Sequence, residues 1–500
     1  MNFHQSVVKT LAFAVCLVGA YASADVYVDC SFVGEGDGSI ERPYKSIRQG
    51  CAVAEPGMRV LVRGGEGREY VLESCDDAIL MAYTSVRLLG CDQKWEPVKD
   101  SSATDAMPFV IVDDKYAEES YARMSKSKDW PAPFTVSASK CVISGFQVKF
   151  GAASYMKNNR GGSGLVLIKG DVLATTVEFC RFEMSGENDP DALVGQNGVI
   201  SGVYSNGSAS PTARDTVIRG CYFSLGNYNG SNCVFWNLFG QTRFEENFVT
   251  RLDTLFASTS QGWDSTFQVV SNLFLNCCNQ SDGVKTWLFG NNGRKYPNGG
   301  EIAYNRFIRD DYDTVGYYLF QHGSQYNGNW ESDVLIHHNT IVGYDIAFES
   351  PGAVEGGLVT EKPGTVWQPK IFDNLIFNTG AVISETANAK WSGNLGTSFK
   401  PGSVFKGNAL RCDNDVIGSA TSQAWYVKGA NLDGWSTRKV LTADPKFVNV
   451  TDPTSSNYYR LKVKDDPWVV DSAWSGDAGE YPKYIGAVAP QVRGFAIRIR

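Results

Sequence analysis

Histidine is scarce in this chain: His4, His322, His337 and His338 are the four in 500 residues. With no CxxC pair and no His/Cys cluster at zinc-ligand spacing, the sequence offers no zinc site. Positive charge is not in excess either. The formal net charge of −8 argues against a general nucleic-acid binder, whose surface carries a basic face. Long apolar runs are missing beyond the first two dozen residues, and none approaches the roughly 18 continuous apolar residues of a membrane-spanning helix. The run from Leu11 to Tyr21, after Lys9 and before Ala22, Ser23 and Ala24, reads instead as a secretory signal with small residues at its cleavage site. Cys16 follows Phe13, Ala14 and Val15 rather than the small residues of a lipoprotein site. A soluble, monomeric protein is expected, secreted or periplasmic, with no membrane span and a mature chain that begins at Asp25.

What is present points to strands and turns. Hydrophobic residues make up 43% and aromatic residues 12%, enough for a large core, and 51 glycines with many Asn, Asp and Ser supply frequent turns. Of twelve cysteines, Cys16 leaves with the signal, so at least one of the remaining eleven has no partner within the chain.

One unit recurs: VEFCRF around Cys180, IRGCYF around Cys221, FEENFV around Asn247, VVSNLF around Asn272, IAYNRF around Asn305, IHHNTI around Asn339, IFDNLI around Asn374 and FKGNAL around Asn408. Three places before the key residue stand Val177, Ile218, Phe244, Val269, Ile302, Ile336, Ile371 and Phe405. Two places after it stand Phe182, Phe223, Val249, Phe274, Phe307, Ile341, Ile376 and Leu410. All sixteen are apolar. The copies recur at spacings from 25 to 41 residues, a variation that a solenoid of strands absorbs in loops and helical repeats do not. Residues of even separation share a strand face, so two apolar columns five apart require a bend between them. Asn tolerates the left-handed backbone of a tight bend. Stacked at roughly 4.8 Å, one Asn per coil can also pass hydrogen bonds along the axis. The Asn is therefore expected to be architectural rather than catalytic.

This pattern resembles the right-handed parallel β-helix of the pectate-lyase-like superfamily, whose coils carry such an Asn ladder. Two further stretches are similar to secreted members of that class. The opening, YVDCSFVGEGDGSIERPYKSIRQGCAVAEPGMRVLVRGGEGREY, has a Tyr-Val strand, a Gly/Asp loop, Pro43 before a short helix, Pro56-Gly57 and a strand ending in Gly64-Gly65. The ending has DPKFVNV, YYRLKV, VVDSAW and YIGAVAP. The expected fold is all-β: signal at 1–24, N-terminal cap and first coils at 25–90, β-helix coils with insertions at 91–443, and a closing segment at 444–500. A helix near Ser46 to Ala54 is expected over the open N-terminal end, and the segment after Ala443 over the other. Cys180 with Cys221, on neighbouring rungs, fall inside the disulfide distance window. Cys30 with Cys51 and Cys75 with Cys91 are candidate local staples, against buried reduced thiols as the alternative.

An irregular charged segment between Cys91 and Cys141 and insertions at 186–214, 310–333 and 350–368 are candidate walls of a polysaccharide groove, with Trp330, Tyr326 and Trp367, besides Tyr312 and Tyr317, as ring-stacking residues. Six places after the key residue come Asp253, Asp311 and Asp345. With Asp282 these carboxylates offer oxygen ligands to Ca²⁺, although Asp is also an ordinary turn residue. Polyuronate lyases of this fold, as the resemblance implies, take the proton α to a uronate carboxyl with Lys or Arg while a cation offsets the carboxylate charge. The candidates here are Lys285, Arg309 and Arg251. The rival enzyme class is a glycoside hydrolase, with two carboxyls drawn from Asp310, Asp311, Asp313, Asp345, Glu349 and Glu355. A non-catalytic carbohydrate-binding or surface scaffold is the third reading. His337 and His338, alternating along one strand, are expected on opposite faces.

Overall fold

The structure is a computed structural model. It describes residues 25–127, 131–151, 164–185, 198–203, 213–224, 233–236, 238, 240–250, 252, 254–257, 265–277, 286–289, 300–309, 317–321, 331–332, 334–344, 346–349, 366–367, 370–377, 381–384, 404–406, 409–411, 439–440, 446–461 and 486–487. The chain winds through three parallel sheets, visiting each once per coil. A first sheet of twelve strands runs from Val26–Val28 to Val404–Lys406. A second, also of twelve, runs from Glu69–Leu72 to Lys439–Val440. The third comprises six strands from Ile79–Met81 to Thr254–Ala257 and four from Thr286–Phe289 to Ala381–Ser384.

Both apolar columns of the repeat are present. Val177 pairs with Ile218, Ile218 with Phe244, Phe244 with Val269, Val269 with Ile302, Ile302 with Ile336, and Ile336 with Ile371 on the first sheet. On the second sheet the column Phe182, Phe223, Val249, Phe274, Phe307, Ile341 and Ile376 is likewise in register and buried. Phe274 and Phe307 stack at 4.9 Å and Phe182 and Phe223 at 5.3 Å, so aromatic faces continue the core along the axis. The columns also extend upstream, where no Asn advertises them, through Val60, Leu88 and Ile143 on one sheet and Tyr70, Val110 and Val148 on the other.

The ladder forms as expected, and its bend does not. Asn374 Oδ1 accepts from the backbone N–H and the Nδ2 of Asn339, both at 2.9 Å, and the same pair of bonds repeats from Asn305 to Asn339, Asn272 to Asn305 and Asn247 to Asn272. Asn408 lies outside the described residues. The left-handed residue, however, is the one before the Asn: Phe179, Gly220, Glu246, Ser271, Tyr304, His338 and Asp373 all have φ between 51 and 60°. The Asn side chain fixes the bend from the neighbouring position, so side chains of almost any type are held in a backbone region that disfavours them by about 1 kcal/mol each.

The cysteine pairings expected from spacing are not formed: Cys30, Cys51, Cys91, Cys141, Cys180 and Cys221 are free thiols. Cys180 and Cys221 do occupy one ladder position on adjacent rungs, but their thiols point to the carbonyls of Glu178 at 3.3 Å and Arg219 at 3.4 Å. Burial pushes the Cys221 thiol well up, and the contact with Cys180 adds to it. The Cys221 N–H joins the ladder by donating to Asn247 Oδ1 at 2.9 Å. Cys75 and Cys91 lie on opposite sides of the sheet wall, Cys75 in the main core and Cys91 in an outer cluster with Leu61 and Leu89. Cys51 faces the core, where burial and the nearby Cys141 push its thiol up to about 12.

The helix Ile47–Val53 begins at Ser46, whose hydroxyl accepts the Gln49 N–H while the Gln49 side chain accepts the Ser46 N–H. It packs against the strands Val26–Val28, Arg59–Arg63 and Ile79–Met81 with Ile47, Gly50 and Cys51 buried. Gly50 allows that approach, since a Cβ there would lie 2.6 Å from Val28 Cγ2 and 3.0 Å from Val60 Cγ1. Gly50→Ala should cost about 1–3 kcal/mol through overpacking, read as a lower denaturant midpoint with the slope unchanged.

The described parts of the closing segment, 446–461 and 486–487, lie along the outer flank of the second sheet. Tyr458 and Tyr459 pack on Leu273, Ile308 and Val342, with Phe447 beside Phe377. Arg306 Nη1 donates to Tyr458 O at 3.1 Å, and burial there pushes the guanidinium below its ordinary value, partly offset by Tyr458. The cause is composition. The outward positions of these rungs are apolar and need cover.

Candidate functional site

The three corners of the coil differ in a way that locates a site. From Ser144 onward the first sheet always passes to the second through two residues, such as Gly220 and Cys221 or His338 and Asn339. All the unevenness of the repeat therefore falls on the connections that enter and leave the third sheet. Those entering it range from 251–253 to 113–133, and those leaving it from 237–239 to 350–369. An invariant corner cannot build a wall. The variable connections border the third sheet on both sides.

Apart from Tyr317 and Glu349, which lie in strands of the third sheet itself, the residues singled out for chemistry belong by chain order to those connections. Arg251 and Asp253 precede the strand Thr254–Ala257; Asp282 and Lys285 precede Thr286–Phe289; Arg309 and Asp311 precede Tyr317–Gln321; Asp345 precedes Ile346–Glu349. Tyr326 and Trp330 follow Tyr317–Gln321, and Trp367 follows Ile346–Glu349. Of these, Arg251, Asp253, Asp282, Lys285, Asp311, Tyr326, Trp330 and Asp345 lie outside the described residues, as do Asp310, Asp313 and Glu355. The register Ile308↔Val342 puts the connections that start at Arg309 and Gly343 on neighbouring rungs. Trp367 lies in the short strand Val366–Trp367, which pairs in parallel with Glu331–Ser332 so that Trp367 stands opposite Ser332. Two consecutive connections leaving the third sheet are thereby tied together, the one carrying Tyr326 and Trp330 to the one carrying Trp367.

Arg309 is the candidate whose side chain is defined. It is 2% exposed, its N–H donates to Val342 O at 3.0 Å, and Gly343 on the next rung comes so close that a Cβ there would sit 2.3 Å from Arg309 O. The Arg309 side chain is thus enclosed within the protein.

Sequence reasoning missed one polar constellation. His337 and His338 do not face opposite ways; both are fully buried, with Nδ1 to Nδ1 at 2.9 Å. The left-handed backbone of His338 breaks strand alternation and returns its ring to the side of its neighbour. His337 Nε2 lies 3.0 Å from Glu301 Oε1, its ring stacks on Phe372 at 4.7 Å, and Tyr304 closes edge-on at 5.5 Å. The signal was the doubled His immediately before the ladder Asn, a position now seen to be the bend. Among the described residues no group of three or more His, Cys, Asp or Glu is placed to hold a metal ion.

No protein-family model matches the sequence, and no curated protein matches it. Solved structures do. A pectate lyase, Pel9A, aligns over 94% of this chain and 98% of its own at 10% identity and a TM-score of 0.42. A rhamnogalacturonan lyase aligns over 88% and 97% at 12% identity and 0.41. An alginate lyase of family PL6, AlyGC, aligns over 88% of this chain and 56% of its own at 12% identity and 0.36. By its own strand order, three all-parallel sheets wound in one continuous coil, the chain is a parallel β-helix protein.

Proposed function

We propose that this protein is exported and acts on polysaccharide, cleaving an acidic chain by β-elimination in a groove along the third sheet. The observation that carries the reading is the loop distribution: the length variation of the repeat, and with it the candidate bases, the four Ca²⁺ carboxylates and Tyr326, Trp330 and Trp367, falls in connections bordering that one sheet. Lys285 is the first candidate base and Arg251 the second, with Arg309 acting as a fixed positive charge beneath its connection. The base takes the proton α to the uronate carboxyl; the electrons of that C–H bond form the ring double bond, and the glycosidic oxygen leaves with its bonding pair. Trp330, Tyr326 and Trp367, on connections tied by the pairing of Ser332 with Trp367, are assigned to sugar stacking.

Asp253, Asp282, Asp311 and Asp345 are hard oxygen donors of the kind Ca²⁺ prefers, and these carboxylates are the part of the chain that fits it. Bound there, Ca²⁺ would offset the carboxylate charge of the substrate. The test is ultraviolet absorbance of the unsaturated product on a panel of polyuronates, with and without Ca²⁺. A rise is expected on at least one. New reducing ends without unsaturation would replace elimination by hydrolysis, and neither signal on any acidic or neutral glycan would leave a binding scaffold.

A further inference from the structure

We propose that the polysaccharide crosses the third sheet along its strands, over Cys233–Trp236 and Thr254–Ala257, rather than lying along the solenoid axis. This rests on the polysaccharide-cleaving reading above and adds how the chain enters and leaves the site. The two strands pair in parallel, with Phe235 opposite Phe256, and both borders of the sheet are at their lowest there. The connection leaving Cys233–Trp236 is 237–239 and the one entering Thr254–Ala257 is 251–253, three residues each. The middle residue of each is held down by the interior: Leu252 is fully buried in the core, and Leu238 packs against it. A connection so short and pinned at its centre cannot rise as a wall. Entering connections of three residues recur at 343–345 and 378–380, but there the opposite border is built by 350–369 and 385–403. Among the described strands, low corners therefore face each other on adjacent rungs only at Leu238 and Leu252.

The axial route is obstructed. On the third sheet Leu80, Thr135 and Leu167 are in register. Leu80 is 48% exposed, whereas Leu167, between Val166 and Ile168 of the core, is fully buried. Alternation puts Leu167 on the outer face, so chain lies over the floor at that rung and closes the path towards the N-terminal coils. On the other side of the low rungs the sheet itself divides. Six hydrogen-bonded strands end at Thr254–Ala257 and four begin at Thr286–Phe289, and among the described residues no ladder joins these two neighbours. Their facing edges present backbone N–H and C=O groups outside any ladder, which the hydroxyls and carboxylates of a sugar chain parallel to the strands can use. The candidate groups enter at the same division, Arg251 and Asp253 before the last strand on one side, Asp282 and Lys285 before the first strand on the other. A chain that passes over the low corner at Leu252 runs beside both connections and leaves the sheet over both borders, so the bond cut lies within the polymer rather than at its end.

Affinity electrophoresis through gels that hold polyuronates, with viscosity and ultraviolet absorbance followed on the same polymers, tests this on the full chain. The parent should lower viscosity well before unsaturated ends accumulate. A short Gly/Ser insertion between Leu238 and Phe239 raises one low border; it should cut polymer binding and cleavage by about tenfold and spare the shortest oligomers that are cleaved. The same insertion within 385–403, a connection already long, should change neither. If the first insertion does not fold, the viscosity comparison decides alone. Equal polymer binding by both insertion variants, or viscosity that falls only in step with product, overturns the crossing and leaves the proposed activity standing. A parent that neither binds nor cleaves any polyuronate removes both.

Discussion

Asn339→Leu should destabilise the protein by about 5 kcal/mol, near the upper end of single substitutions. Leucine fills the volume but removes four hydrogen bonds in a dry interior. The Asn305 N–H loses its acceptor and Asn305 Nδ2 one of two, Ile302 O loses the Asn339 Nδ2 donor at 2.8 Å, and Asn374 Oδ1 loses one of two. Each orphaned buried group costs about 1–3 kcal/mol. The loss extends further, because His338 is held at φ 51° by the ladder residue beside it. Denaturant unfolding followed by far-ultraviolet circular dichroism checks the figure. A change below about 1 kcal/mol would mean that stacking of the apolar columns, not the ladder, fixes the bend. Cys221→Asn is the complementary experiment, since it offers the ladder one more rung beyond Asn247.

Lys285→Ala should lower the rate of β-elimination by about a hundredfold to ten-thousandfold, the range a positioned general base contributes, and leave the unfolding midpoint where it was. Arg309→Ala should do the reverse: its side chain is buried, so stability falls first. Measuring both variants for turnover and melting separates a residue that touches substrate from one that supports a corner. If Lys285→Ala turns over at the parent rate while Arg251→Ala does not, the base is Arg251 and the groove assignment stands. If neither loses rate, the reading of these connections as a lyase site is wrong.

The architecture was legible because a strand solenoid repeats its physics. Each coil must bury the same two positions, so the columns from Val177 to Phe405 and from Phe182 to Leu410 are written in sequence eight times. The upstream rungs at Val60, Leu88 and Ile143 bury the same column without an Asn, and so carried no marker. The bend was placed one residue late because Asn has two uses, left-handed backbone and ladder hydrogen bonding, and the ladder claims it here. Facing of side chains was misread for His337 and His338 for the same reason, since alternation does not survive a left-handed residue. Cys180 and Cys221 share a column as their spacing implied, but sharing a column does not determine where a thiol points. The flank position of 446–461 was hidden because the outward apolar residues that attract it, Leu273, Ile308 and Val342, look in sequence like more core.

That flank contact sets an order of assembly. Successive rungs bond across separations such as 25 residues from Asn247 to Asn272 and 34 from Asn305 to Asn339, so a chain emerging from the ribosome can add coils one at a time. The strap closes across 152 residues at Arg306 and Tyr458, and the return across 147 at Ala487 and Thr340. Contacts of that range form late, after the rungs they join. Until they do, the apolar outer stripe of the second sheet faces water, open to a chaperone or to a neighbouring chain. Closure of that strap therefore covers a sticky outer stripe, and a chain stalled before residue 446 would be prone to aggregate.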